Sequence, residues 1–215
     1  MLLRQEHRRK LDSSNDLDFY GVPRFVTHVD GSFIDRLTQL YRKRLQPGTR
    51  VLDLMSSWVS HLPDDISFER VDGHGMNAEE LARNPRLDRY FVQDLNENPK
   101  LPLPDSEFAA VLNTVSVQYL QYPEAVFSEV RRVLAPGGIA IVSFSNRMFF
   151  QKAIAAWRDS SEAGRVELVR QYFQAVPGFG EPDVAIKKSA VPPVLQMLGI
   201  GNASPFYAVL ATKVA

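Results

Sequence analysis

The run LPLPDSEFAAVLNTVSVQYLQYPEAVFSEVRRVLAPGGIAIVSFSN, from Leu101 to Asn146, constrains the fold of this chain more than any other segment. Phe108 to Leu112 is a short apolar run, with a Pro/Asp/Ser turn before it and the polar pair Asn113 and Thr114 after it. That is the pattern of a buried strand opening into a site. Pro123 suits the first turn of a helix, where its missing N–H costs nothing, and Val126, Val130, Val133 and Leu134 then share one face. Pro136, Gly137 and Gly138 are expected to stop that helix in a turn, and Ile139 to Phe144 reads as a second buried strand. The unit is β-α-β, so its two strands are expected to be parallel.

The rest of the chain extends this alternation. Residues 1 to about 29 are polar and irregular, apart from an apolar patch of Phe19, Tyr20, Phe25 and Val26 that suggests a strap or lid. The basic residues at its start read as a frayed tail or as part of a transit sequence. Asp30 or Ser32 is placed to cap a helix carrying Phe33, Leu37, Leu40 and Tyr41, which ends near Pro47-Gly48. Further strands are expected at Arg50 to Leu54, Ser67 to Val71, Arg89 to Val92, Val184 to Ser189 and Phe206 to Lys213. Helices are expected at Ala78 to Arg83, Met148 to Arg158 and Glu162 to Ala175. The fold class is therefore α/β, a doubly wound sheet with helices on both faces.

Composition narrows the function. At 215 residues and 45% apolar content the chain is expected to form a single domain, 1–215, with an ample core. Lys+Arg and Asp+Glu both number 25, so no net field draws it to nucleic acid or to an anionic membrane. The absence of cysteine excludes disulfides, thiolate metal sites and a cysteine nucleophile. No metal is expected, because no His/Asp/Glu cluster has ligand spacing. With no segment of membrane-spanning length and no signal-peptide stretch at the start, a cytoplasmic location is the expectation.

The LPLPDSEF entry, the EVRRVLAPGG helix and turn, and the IVSFSN strand end together resemble the class I S-adenosylmethionine-dependent methyltransferases, particularly their type-11-like branch. The resemblance implies a Rossmann-like, seven-stranded, mostly parallel sheet that closes in an antiparallel hairpin, S-adenosylmethionine as cofactor, and a helical insertion, here 147–180, over the substrate pocket. In such sheets ligands bind beyond the carboxyl ends of the strands. The first strand ends VLDLMSSWVSHLP, and the resemblance implies that Asp53 positions the methionine end of the cofactor. Met55 stands where the family has glycine, a residue that permits positive φ and close approach of backbone N–H groups. Ser56 and Ser57 keep the loop small. Both an altered loop that still holds the cofactor and a filled, inert turn fit this sequence.

The second strand leads into VDGHGMN, so Gly73, His74, Gly75 and Met76 are expected on the crevice, with Met76 on the adenine face. The family has a ribose-binding acid at the position of Gly75; here His74, Asn77 or a shifted Asp72 is left to take that role, and His74 also reads as an ordinary loop histidine. After the third strand, Asp94 matches the acid that accepts from the adenine amino group, with Leu95 beside it; an Asx turn is the alternative use of Asp94. Asn113, Thr114 and Val115 are expected beneath the methionine portion, with Gln118 and Tyr119 toward the substrate.

His28, His61, Gln118 and Tyr119 are the available proton-handling or orienting groups, and no spacing singles one out. The aromatics Phe149, Phe150, Trp157, Tyr172 and Phe173 suit either a cap over a small organic methyl acceptor or plain core. Three function classes follow: a methyltransferase, a catalytically inactive methyltransferase-like binding or scaffold protein, and a nicotinamide oxidoreductase. The last is disfavoured by the absence of G-x-G-x-x-G after the first strand.

Overall fold

The computed structural model describes residues 2–187 and 204–214. Seven strands form one sheet in the order β3-β2-β1-β4-β5-β7-β6: β1 Arg50–Leu54, β2 Arg70–Gly75, β3 Arg89–Val92, β4 Phe108–Thr114, β5 Leu134–Phe144, β6 Asp183–Lys187 and β7 Phe206–Thr212. The first five run parallel, and β7 lies antiparallel between β5 and β6. This is the expected α/β sheet with its antiparallel closing hairpin. The helices are α1 Asp16–Tyr20, α2 Gly31–Arg44, α3 Ala78–Ala82, α4 Pro123–Val133, α5 Ala155–Arg158 and α6 Glu162–Gln174. None of the described helices is long and apolar enough to cross a membrane.

Strand alternation divides the core between the two faces of the sheet. Leu52, Val111, Ala140, Val142, Phe144, Tyr207 and Val209 pack on one side with Phe127, Trp157, Tyr172 and Phe173 from α4, α5 and α6. Val51, Ala110, Leu112, Ile141, Ala208 and Leu210 pack on the other with Phe33, Leu37 and Tyr41 of α2. Both faces are therefore covered at the sheet centre, which is why β4 and β7 read as continuous apolar runs rather than as alternating ones. Asp30 caps α2, accepting from the Phe33 N–H at 3.0 Å.

Several boundaries differ from the sequence expectation. β2 begins three residues later than expected and runs through Gly75, so Gly73 and His74 lie inside the strand instead of in the loop after it. Pro136, Gly137 and Gly138 do not form a turn after the helix. They lie within β5, where the register with β4 shifts between Phe108 and Ala110 and Gly137 takes φ +76°. The helix expected from Met148 to Arg158 is reduced to α5. The expected strand end at Ser189 falls outside the described residues.

The N-terminal residues are not a frayed tail. Leu3 is buried in the core, and a 3₁₀ turn at Gln5–Arg8 leads into a strap that ends at α2. Buried Arg8 pairs with Glu124 of α4 and donates to the carbonyls of Leu3, at 2.9 Å, and Gln121. Lys152 is fully buried and lies 3.1 Å from Asp12, 3.2 Å from Asp16 and 2.9 Å from the Ser14 carbonyl; Lys10 closes the cluster on Asp16. Two buried cations, paired across more than a hundred residues of sequence, hold the strap to the domain.

Candidate active site

The chain reverses its direction of travel across the sheet between β1 and β4, the place where open α/β sheets bind ligands. A cavity of about 610 Å³ lies there, walled by the strand ends and covered by residues of the strap. Its size falls within the ~300–1,000 Å³ range usual for small-molecule sites.

The loop after β1 is built around a buried carboxylate and a buried imidazole. Asp53 accepts from the Ser56 hydroxyl at 2.6 Å, and burial pushes its carboxyl up to about 6 against the opposing pull of hydrogen bonds from Ser56 and Ser60. Met55 has φ +58°, the backbone conformation for which glycine is ordinarily used. A side chain there costs roughly 1–2 kcal/mol. His74 holds the conformation in place: its Nδ1 accepts from the Met55 N–H at 3.1 Å, and its carbonyl accepts from the Ser56 N–H at 2.6 Å. Nε2 lies 2.9 Å from the Gln93 carbonyl, an acceptor only, so the proton sits on Nε2 and Nδ1 is the acceptor. Burial pulls this imidazole down to about 4, which keeps it neutral and preserves the tautomer. Val115 and His61 also have positive φ, at +53° and +54°; three of the four non-glycine residues so strained among those described line the cavity. Concentrated strain of this kind is characteristic of functional sites.

At β2 the structure separates the expected residues. Gly75 lines the cavity, whereas Gly73 faces away from it: a Cβ on Gly73 would stand 2.3 Å from Leu87 Cδ1, so this glycine serves packing. A Cβ on Gly75 would stand 2.5 Å from the Ser56 carbonyl oxygen, which explains physically why no acid occupies this strand end. The three substitutes expected from sequence are each engaged with other protein groups. Asp72 points to Arg70, bound at 2.8–3.0 Å, and is not on the cavity wall; His74 has both ring nitrogens engaged. Asn77 caps α3 through the Glu80 N–H and donates to the carbonyls of Tyr20 and Gly21, tying the strap to this corner. Met76 is half-buried on the wall.

Asp94 and Leu95 line the cavity beyond β3; Asp94 Oδ1 accepts from the Asn96 N–H at 2.8 Å, so the Asx turn is present as well. Beyond β4, Val115 lines the cavity and Asn113 does not. Asn113 donates to the Leu54 carbonyl at 3.3 Å and so joins β1 to β4 beneath the site. Gln118 is fully buried against the Val115 carbonyl and does not face the substrate side, in contrast to Tyr119, whose hydroxyl accepts from the Phe149 N–H at 2.8 Å. His28 and His61 both lie on the wall, each with its pKa lowered by burial and therefore uncharged at neutral pH.

Of the segment expected to cap the pocket, Arg147 to Phe150 reach the cavity. Trp157, Tyr172 and Phe173 are core on the sheet face. Phe149 instead joins Phe19, Tyr20, His28 and Tyr119 in an aromatic cluster, with ring centroids 5.2–6.2 Å from its own. Asp16, Tyr20, Arg24, Ser60 and Glu80, which no motif in the sequence marks, also line the cavity. The apolar patch containing Tyr20 was the one local signal that pointed to the strap.

The sheet order is that of the class I S-adenosylmethionine-dependent methyltransferase fold, and residues 65–142 match the family described as "Methyltransferase domain". Sterol 24-C-methyltransferase ERG6B of Gibberella zeae is 28% identical over 153 residues, which are 61% of this chain and 39% of that protein. The chain thus spans about two fifths of that relative's length. Among solved structures, the [4+2]-cyclase SpnF superposes with a TM-score of 0.57 at 19% identity, covering 84% of this chain and 82% of that one. Phosphoethanolamine N-methyltransferase 2 of Haemonchus contortus, in complex with S-adenosyl-L-methionine, gives 0.56 at 15% identity, covering 84% and 53%. At these identities the likeness concerns the fold.

Proposed function

We propose that this chain binds S-adenosylmethionine in the switch-point cavity and transfers its methyl group to a small organic acceptor. The observation that carries the reading is that one cavity at the ends of β1 to β4 brings together Asp53, Met76, Asp94 and Leu95, the positions the resemblance marks for the cofactor. Asp53 and Ser56 would hold the amino-acid end, Met76 would pack on the adenine and Asp94 would accept from its amino group. The bound cofactor supplies an activated methyl group on a sulfonium. The protein's part is proximity, orientation and exclusion of water. The strap 1–29 closes the pocket, and the aromatic cluster of Tyr20, Tyr119 and Phe149 offers an apolar wall to the acceptor.

Calorimetric titration with S-adenosylmethionine and S-adenosylhomocysteine tests this directly. Micromolar binding of both is expected, and Asp94→Asn should weaken it about tenfold, the usual worth of a hydrogen bond to a charged group. Binding should also depend on pH. A ligand ammonium group prefers ionised Asp53, whose free carboxyl titrates at about 6, so affinity should fall as pH drops from 7 to 5. Asp53→Asn should flatten that profile; a slope that survives in the variant would assign it to another group. A second reading, an inactive binding or scaffold protein, draws on the β1 loop: the Met55 and Ser56 N–H groups are both engaged by His74. Failure of the wild-type protein to bind either ligand would favour it.

A further inference from the structure

We infer that Glu80 of α3 supplies the carboxylate that receives the vicinal diol of the adenosyl ribose, in place of an acid at the end of β2; this rests on the cofactor reading above. The end of β2 has no room for an acid. A Cβ on Gly75 meets the Ser56 carbonyl oxygen at 2.5 Å, and that backbone is pinned by the Ser56 N–H bond to His74. The neighbouring polar side chains are committed elsewhere: Asp72 to Arg70, His74 to Met55 and Gln93, and Asn77 to Tyr20, Gly21 and the Glu80 N–H.

Glu80 is different. It is half-buried and lines the cavity on the same corner as Gly75 and Met76. Its Oε2 accepts from the Ser57 hydroxyl at 2.5 Å and its Oε1 from the Arg24 N–H at 2.6 Å, and both donors belong to cavity-lining residues. An ionised carboxylate has about four acceptor positions. Among the described residues each oxygen thus has one donor, which leaves each a second lone pair. Two adjacent hydroxyl groups match that remaining capacity, one to each oxygen. The protein donors, one on the β1 loop and one on the strap, fix the carboxylate's orientation before a ligand arrives. Because the strap's Arg24 N–H shares this carboxylate, closure of the strap and capture of the ribose are coupled at one side chain.

The test is a cycle between side chain and ligand. Wild type, Glu80→Gln and the exposed control Glu79→Gln are titrated with S-adenosylhomocysteine and with its 2′,3′-dideoxy counterpart. Glu80→Gln should weaken S-adenosylhomocysteine at least tenfold while changing the dideoxy ligand less than twofold, and Glu79→Gln should change neither. Should Glu80→Gln fail to fold by circular dichroism, Glu80→Asp takes its place, since it keeps the charge and withdraws it by one methylene. Equal losses for both ligands, or no loss for either, would overturn the assignment of Glu80 and leave the cofactor reading standing. Absence of S-adenosylhomocysteine binding by the wild type would remove both.

Discussion

Lys152→Met should cost about 3 kcal/mol of stability and release the strap from the cavity. Lys152 is completely buried, and its ammonium is shared by Asp12, Asp16 and Ser14 at 2.9–3.2 Å. With Lys10 the cluster holds two acids and two bases. Removing one base leaves an excess negative charge in which Asp16 has almost no solvent, and breaking a buried pair in this way typically costs about 3–5 kcal/mol. The lower figure is expected because Asp12 remains partly solvated. The consequence reaches function through α1, since Asp16 and Tyr20 form part of the cavity wall. Urea denaturation would read the stability and limited trypsin cleavage at Arg24 the exposure of the strap. A loss below 1 kcal/mol with Arg24 still protected would mean that the strap is held by its apolar contacts alone.

Gly75→Asp, which would put back the acid the family resemblance expects, should lower stability by about 2–3 kcal/mol and should not improve cofactor binding. The new Cβ would stand 2.5 Å from the Ser56 carbonyl and 3.2 Å from Leu81 Cδ2, so the β1 loop would have to move. Forcing atoms into a packed site costs about 1–3 kcal/mol, and moving this loop also disturbs the Met55 and Ser56 bonds to His74. Thermal unfolding and titration with S-adenosylhomocysteine measure the two effects. Tighter binding at an unchanged unfolding temperature would show that the Ser56 carbonyl yields without cost, and would weaken the case for Glu80 as the diol acceptor.

The strands that sequence located best were those with a long apolar signal. Phe108 to Leu112 and Phe206 to Ala211 are buried on both faces, so their burial is written in composition. The end of β2 is hidden in the sequence because Asp72, Gly73, His74 and Gly75 have turn composition. They are in a strand because Leu87 fills the space beside Gly73 and because His74 bonds to both neighbouring segments. The Pro-Gly-Gly segment reads as a helix stop, and the helix does end before it, at Val133; the backbone bonds of Gly137 and Gly138 to Lys213, with pairing to β4 on either side at Leu134 and Ile139, make it the bulged start of a strand.

What the sequence determined by itself was the β-α-β unit, the parallel sheet with its antiparallel closure, and the strand ends that carry Asp53, Asp94, Leu95 and Val115 to the cavity. The unit and the alternation of strands and helices follow from local periodicity, and the place of the site from the rule that parallel strands open at their carboxyl ends; the antiparallel closure and the choice of Asp53, Asp94, Leu95 and Val115 follow from the family resemblance. Tertiary structure alone decided that buried ion pairs anchor the strap and set Asp16, Tyr20 and Arg24 in the wall of the site, that Trp157, Tyr172 and Phe173 are core while Phe149 lines the cavity, and that Glu80 meets Ser57 and Arg24. Those outcomes depend on charges and hydrogen bonds between residues distant in sequence, Lys152 with Asp12, Asp16 and Ser14 among them, and on the desolvation that makes such pairs obligatory once buried. Such pairings leave no periodic trace in the local sequence.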